Sequence, residues 1–355
     1  MTEKTWMIYG ANGYTGVLVC EEAVRRGHKP VLAGRSADKI VPLAERLGLS
    51  YVVVNLQDEE NLAKIVVGFD LVFHAAGPFI YTSAPMVRAC IKGGTNYVDI
   101  TGEVTVLEHT LSSDQQAQER GIALMSGVGF GIVPTDCMAN YVAARVPDPT
   151  QLELAVATTG SPSAGTMKTI LEQSPSGTLV RRNGQLVRHP TGTGGRRIRF
   201  VDREHTVLPM SWGDLATAYR STGIPNITTY MAFPERFLPL MRWVGPLSQS
   251  LLAVRPVRRL MQKCVEKAVH GPDEHMRQTA RSYVWARAAN EKGNEAQAWL
   301  DTSEGYHFTA IAGVHCVERI FEERPQGALT PALAFGADLV LQIPGTKRYD
   351  RLNDS

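Results

Sequence analysis

Several things are scarce in this chain, and each scarcity removes a class of protein. Five cysteines (Cys20, Cys90, Cys137, Cys264 and Cys316) are scattered through 355 residues without a Cys-x-x-Cys pair. That spacing argues against a metal site or a disulfide framework and suits a reducing cytosol. Charge is nearly balanced, 37 Lys and Arg against 35 Asp and Glu, so nucleic acid is not an expected partner. No run of about 18 uninterrupted apolar residues occurs, which speaks against a spanning helix. Internal repeats and low-complexity tracts are also missing. A strand-like run starts so near residue 1 that no signal peptide is expected, and the expected location is cytoplasmic. What is present is 44% hydrophobic and 20% charged residues over a length that supports a sizeable core and two subdomains.

The first informative stretch is Thr5 to Tyr9, short, apolar and β-prone, followed by Gly10, Ala11, Asn12, Gly13, Tyr14, Thr15 and Gly16. Val17 to Arg26 then has apolar residues at helical spacing and ends at Gly27. Strand, glycine turn and helix together suit a pyrophosphate, because missing side chains let backbone N–H groups approach its charge. The G-x-x-G-x-x-G spacing is the variant common among NADP-dependent reductases. A second strand, Pro30 to Ala33, ends in Gly34 and Arg35 where an NAD site would place an acid for the ribose hydroxyl. Arg35, with Ser36 and Lys39 one turn on, instead suits a 2′-phosphate. NADP is therefore the expected cofactor.

Strands and helices keep alternating through the next hundred residues. Tyr51 to Asn55, Asp70 to Ala75, Asn96 to Ile100 and Ile122 to Ser126 read as strands. Leu62 to Val67, Ser83 to Lys92 and Asp114 to Arg120 read as helices. This pattern predicts an α/β fold with a Rossmann-type doubly wound parallel sheet. Asn55 ends the third strand and can reach an adenine edge. Ala75, Ala76, Gly77 and Pro78 form a small-residue turn on the nicotinamide side. His74 reads as a packed core histidine. Neither a local Tyr-x-x-x-Lys dyad nor a cysteine–histidine pair is visible, so proton donors must come from separate loops. Tyr81, Asp99, Glu103 and Asp136 are the catalytic candidates, all near strand ends. Glu103 has a helix cap as its alternative role, and Asp99 a buried anchor.

GANGYTG, AGRS, HAAGPF, ACIKGGTNYVDITGE and GFGIVPTD together resemble the saccharopine dehydrogenase-like family, and GALTPALAFG resembles it again near the end. Within that family the chain is most similar to the bacterial trans-acting enoyl reductase branch, which WGDLATAYRSTGIPNI also resembles. The resemblance implies an NADP-dependent oxidoreductase with a substrate domain inserted before a C-terminal return to the Rossmann half. Two positions depart from the family pattern. Phe79 stands where the family often has Tyr, with Tyr81 two residues on, and Gly131 replaces an acid.

From about Leu152 the pattern changes to alternating β-type runs and long loops. The expected division is a Rossmann domain over 1–130 plus 325–355 and an α+β substrate and dimerisation domain over 131–324. Thr166 is the expected N-cap of a helix from Met167 to Glu172, and Thr166 and Lys168 are candidate substrate contacts, with a capped surface helix as the alternative. Arg181, Arg182, Arg188, Arg196, Arg197 and Arg199 lie in a hairpin or loop that either clamps an acidic substrate or stays solvated. Phe233 to Val269 mixes large apolar residues, including Trp243, with prolines and a basic run from Arg255 to Lys267. It can lid an apolar substrate, lie on an anionic membrane surface, or pack as a buried insert. Ala280 to Ala288 and Glu295 to Asp301 read as paired strands around a 290–294 turn, and His307 to Glu323 as a helix.

Three functions fit. One is NADPH-dependent reduction of a C=C bond conjugated to a carbonyl in an apolar or acyl-like small molecule. Another is reduction or oxidation of a C=N bond in an amino-acid-derived compound. The third is non-catalytic NADP binding with peripheral membrane or partner contact. A homodimer and no metal are expected.

Overall fold

The structure is a computed structural model and describes residues 4–233 and 251–352. It divides into two compact units, Met1–Gly131 with Tyr306–Phe335, and Ile132–Gly305 with Gly336–Ser355. Trp243 lies outside the described residues. Among the described residues no helix is long and apolar enough to cross a membrane.

The first unit is built on a seven-stranded sheet. Its strands are β1 (Trp6–Tyr9), β2 (Val31–Gly34), β3 (Tyr51–Val53), β4 (Leu71–His74), β5 (Asn96–Asp99), β6 (Ala123–Met125) and β15 (Gly327–Ala328). The order is β15-β6-β5-β4-β1-β2-β3, and every pair is parallel. Every residue of β1 and β4 is buried, which is why their sequences read as unbroken apolar runs rather than as alternation. β1 sits between β4 and β2, so the chain winds outward in both directions from it. In such a sheet the ligand crevice opens beyond the carboxyl ends of the strands at that reversal.

The connecting helices are α1 (Tyr14–Arg25), α2 (Ala37–Leu47), α3 (Glu59–Val66), α4 (Phe79–Gly93), α5 (Val104–Ser112) and α6 (Asp114–Arg120). α1 begins at Tyr14 rather than Val17 because Gly13 serves as its N-cap. α5 was not expected. Its β-branched start has poor helix propensity, and burial of Val104, Val106, Leu107 and Thr110 overrides that preference. A long helix, Gly305–Glu323, joins this unit from Tyr306 onward. Glu318 on it pairs with Arg26 at 2.7 Å.

The boundary differs from the expected one at the C-terminal end. GALTPALAFG does return to the first sheet, as β15 and the short helix Pro331–Phe335. Residues from Gly336 belong to the second unit, where β16 (Lys347–Tyr349) pairs with the strand Glu295–Ser303.

The second unit carries a nine-stranded mixed sheet. Its members are β7 (Gln151–Thr158), β8 (Thr178–Arg182), β9 (Gln185–His189), β10 (Arg196–Arg199), β11 (Glu204–Pro209), β12 (Asn226–Ala232), β13 (Arg281–Ala289), β14 (Glu295–Ser303) and β16. The main order is β10-β11-β12-β7-β13-β14-β16, with the β8–β9 hairpin attached to β12. The helices are α7 (Val133–Ala143), α8 (Ala164–Gln173), α9 (Asp214–Thr222), Arg255–Ala268 and Glu274–Thr279. α7 packs on β13, β14 and α9 and has eight of its eleven residues buried. A helix covered on so many sides shows no apolar stripe, which explains why the sequence pattern did not mark it.

The contact of α7 with α9 contains two fully buried carboxyl groups, Asp136 and Asp214. The Ser221 hydroxyl donates to Asp136 Oδ1 at 2.8 Å. Neither oxygen of Asp214 has a well-directed hydrogen-bond partner among the described residues. Burial pushes the Asp214 pKa well above the usual carboxylate range; the Thr135 hydroxyl opposes the rise, the Asp136 charge adds to it, and the Thr217 hydroxyl also opposes it. A carboxyl whose pKa is raised on folding gives its stability below the unfolded value of about 3.9 and loses it as pH rises through the folded value. Asp214→Asn removes that loss. Its melting temperature should exceed the native one by about 2–4 °C or more near pH 8, with a smaller gain near pH 5. A gain independent of pH, measured by thermal denaturation across that range, would contradict an ionisable Asp214.

Candidate cofactor site

The glycine cluster does two separate jobs. Gly10 follows β1 with φ of +83°, and a Cβ there would stand 2.7 Å from Ala76 N and 2.8 Å from Ala76 Cβ. A Cβ on Gly16 would overlap Gly10 O and lie 2.9 Å from Ala11 O. Both positions are glycine because the protein's own backbone fills the space. Gly13 is different. Its added Cβ would meet only Gly10 O at 3.3 Å and Ala75 O at 4.0 Å, so its outer side is open. α1 begins there with no side-chain cap and no acid in its first turn. An uncapped helix start behind an open glycine fits a pyrophosphate.

The other cofactor candidates surround this turn within the first unit. Ala11 is buried; Asn12 is exposed; Tyr14 and Thr15 are half-buried in the first turn of α1. Arg35 and Lys39 are exposed at the carboxyl end of β2 and the start of α2, and neither forms an ion pair among the described residues. Ser36 is the N-cap of α2, with its carbonyl accepting from Lys39 N and Ile40 N at 3.2 Å. Two unpaired cations and no acid at the strand end fit a 2′-phosphate. Asn55 is exposed, but its Oδ1 already accepts from Gln57 N at 3.1 Å, which ties it into its own turn.

Ala75, Ala76, Gly77 and Pro78 run from β4 to α4, and three neighbours fix them. The Thr82 hydroxyl donates to Ala76 O at 2.6 Å, and His74 Nε2 lies 3.3 Å from the same oxygen. Burial lowers the His74 pKa to about 4, so the ring is neutral at ordinary pH, and it packs edge-on against Tyr9 and Tyr97. The third neighbour is Glu103. Its carboxylate accepts from Phe79 N at 2.8 Å and Ile80 N at 2.9 Å, capping α4 from a distant loop.

Glu103 is therefore a helix cap rather than an available acid. Asp99 is likewise committed. It is fully buried, with Oδ1 accepting from Thr101 N (2.9 Å) and Gly127 N (3.0 Å) and Oδ2 from the Tyr97 and Ser126 hydroxyls (2.8 Å each). Burial raises its pKa, and those four hydrogen bonds pull the other way. Asp136 lies buried in α7 of the second unit. Of the four catalytic candidates only Tyr81 is solvent-exposed, at 61%, one turn into α4.

The substrate candidates of the second unit fare differently. Ser163, not Thr166, is the N-cap of α8, and its hydroxyl accepts from Thr166 N at 3.3 Å. Lys168 is paired with Glu266 at 3.1 Å. The arginine-rich stretch is an ordered hairpin and edge strand whose cations are largely used internally. Arg181 is buried and donates to Leu215 O and Gly184 O at 2.6 Å, Arg182 bonds Thr228, Arg196 pairs with Glu153, and Arg197 with Glu204. Sequence reasoning missed Tyr306, whose ring meets Tyr14 edge-on at 5.0 Å. No local pattern pairs residues so far apart in sequence.

A parallel Rossmann sheet with an open glycine turn, an uncapped helix start and two free cations defines a dinucleotide-binding domain. Residues 6–125 match the family described as the saccharopine dehydrogenase NADP binding domain. The chain is 27% identical over 155 residues to the saccharopine dehydrogenase-like oxidoreductase of Bos taurus, covering 38% of this chain and 36% of that protein. It is also 27% identical over 157 residues to the trans-acting enoyl reductase of Mycobacterium ulcerans (strain Agy99), covering 42% and 38%. Each match thus spans little more than a third of the relative's length. The solved apo saccharopine dehydrogenase (L-Glu forming) of Saccharomyces cerevisiae superposes with a TM-score of 0.63 at 11% identity, over 98% of this chain and 100% of that one, a likeness of fold. Over residues 6–125 the chain is thus similar to a saccharopine dehydrogenase-type NADP-binding domain.

Two expectations follow. Gly13→Val should fold, with a modest loss of stability, and bind NADPH at least about tenfold more weakly, because only the ligand's space is taken. Gly16→Val should fail to fold stably. Normal NADPH titration of folded Gly13→Val, followed by fluorescence, would show that the turn is structural only. Arg35→Asp should weaken NADPH by about two orders of magnitude while leaving NADH within a few-fold, since a charge-assisted pair becomes a repulsion. Equal losses for both dinucleotides by calorimetry would remove the 2′-phosphate assignment.

Proposed function

We propose that the chain is an NADPH-dependent reductase of a C=C bond conjugated to a carbonyl, acting on an apolar, acyl-like substrate. The observation that carries the cofactor half is the pairing of an open Gly13 turn with the unpaired cations Arg35 and Lys39. The enoyl half is supported by the likeness to the Mycobacterium ulcerans enoyl reductase. Reduction of a C=N bond in an amino-acid-derived substrate calls for several fixed charges. Arg181, Arg182, Arg196 and Arg197 already have internal partners, which favours the apolar reading.

The chemistry that NADPH contributes when bound is a hydride for the β-carbon. Gly13 and the first turn of α1 hold the pyrophosphate, and Arg35 with Lys39 holds the 2′-phosphate. The 75–78 turn, fixed by His74, Thr82 and Glu103, gives the nicotinamide end a rigid wall. The Tyr81 hydroxyl supplies the proton to the α-carbon and is re-protonated from solvent, so one hydride and one proton complete the saturated product.

The test is NADPH oxidation with a 2-enoyl thioester, with a cyclic imine as the comparison substrate. The native chain should oxidise NADPH with the thioester. Tyr81→Phe should lower kcat about 100-fold with unchanged NADPH affinity. Turnover of the imine alone would replace the C=C assignment by C=N. An unchanged kcat in Tyr81→Phe would place the donor elsewhere.

A further inference from the structure

The helix Arg255–Ala268 turns its polar edge to the protein. Arg258 Nε lies 3.2 Å from Glu172 Oε1, Gln262 Nε2 donates to Glu172 Oε2 at 2.6 Å, and Glu266 pairs with Lys168 of α8. No residue of the helix is buried. At 3.6 residues per turn, Leu260, Cys264, Val257, Ala268 and Met261 fall on one arc about 100° wide, away from that polar edge. Leu260 is 64% exposed and Met261 41%. Leu251 and Val254, just before the helix, are exposed as well.

A second row lies beside the apolar arc. Arg259, Lys263 and Lys267 follow one another around the helix toward that arc, all are exposed, and none forms an ion pair among the described residues. The helix's one acid, Glu266, is already paired with Lys168. An apolar arc bordered by unpaired cations matches an interface that is hydrocarbon on one side and anionic on the other. A nucleic acid would satisfy the cations and leave the apolar arc in water. A twofold contact through the arc would bring two rows of three cations together.

We propose that this face of the second unit docks on the surface of an anionic phospholipid bilayer. Leu260, Met261 and Cys264 enter the acyl boundary, and Arg259, Lys263 and Lys267 contact the headgroup phosphates. The proposal is independent of the reaction the chain catalyses.

The five cysteines supply the test, because four are buried and Cys264 is exposed. The native chain is labelled at Cys264 with a polarity-sensitive thiol dye and mixed with vesicles of phosphatidylglycerol and phosphatidylcholine, or of phosphatidylcholine alone. Emission should shift to the blue on the anionic vesicles only, and binding should fall severalfold as salt rises from about 0.05 to about 0.5 M. Arg259→Gln, Lys263→Gln and Lys267→Gln combined should lower the partition coefficient at least about tenfold, with melting temperature and NADPH affinity unchanged. If that variant misfolds, the contrast between the two vesicle types decides for the native chain. No blue shift on anionic vesicles, or an equal shift on both types, overturns the proposal. So does a shift without vesicles that grows with protein concentration, which would make a second copy the occupant. Duplex DNA binding as tightly as the vesicles, without a blue shift, overturns it too.

Discussion

The buried carboxyl of Asp99 holds the carboxyl-end rim of the first sheet in place. A carboxyl without solvent is costly unless nearly every lone pair is used, and Asp99 accepts from four donors on β5, the loop after it, and the end of β6. Removing it would leave Thr101 N without its acceptor and take from the Tyr97 and Ser126 hydroxyls the shorter of their hydrogen bonds, at about 1–3 kcal/mol for a group left unsatisfied. Thr101, fixed by Asp99, accepts from Glu103 N through its hydroxyl, and Glu103 caps α4. The start of α4 is what the 75–78 turn leads into. One buried acid thus reaches, through three hydrogen-bonded steps, the backbone expected to wall the nicotinamide.

The same chain of contacts explains why YVDITGE is a recognisable motif although it touches no reacting atom on this reading. Asp99, Thr101 and Glu103 are each constrained by partners the protein supplies. Chemistry at the site must then come from groups left outside the clasp, which is why Tyr81 is singled out. The three glycines separate in the same way: Gly10 and Gly16 serve backbone packing, and Gly13 leaves room for a ligand.

Much of the first unit was legible in the sequence because local pattern and global role agree there. Buried parallel strands are continuous apolar runs, the glycine spacing is local, and Arg35 is an exposed strand end. What was not legible depended on partners distant in the chain. Glu103 is a cap only because α4 starts beside it, and Lys168 is spoken for only because Glu266 packs across from it. α5 and α7 escaped notice for opposite reasons, one having strand-like residues at its start and the other being buried too completely to show a stripe. Ser163 took the cap expected of Thr166 because α8 starts at Ala164 rather than Met167.

The central claim is that the glycine turn, the β2 end and the 75–78 turn together hold NADP(H). Backbone hydrogen exchange on the native chain, with and without saturating NADPH, tests it most directly. Protection should rise at residues 10–17, 35–36 and 75–80 and change little along the core strands of the second unit. Unchanged exchange at residues 10–17, or protection confined to the second unit, would contradict the account.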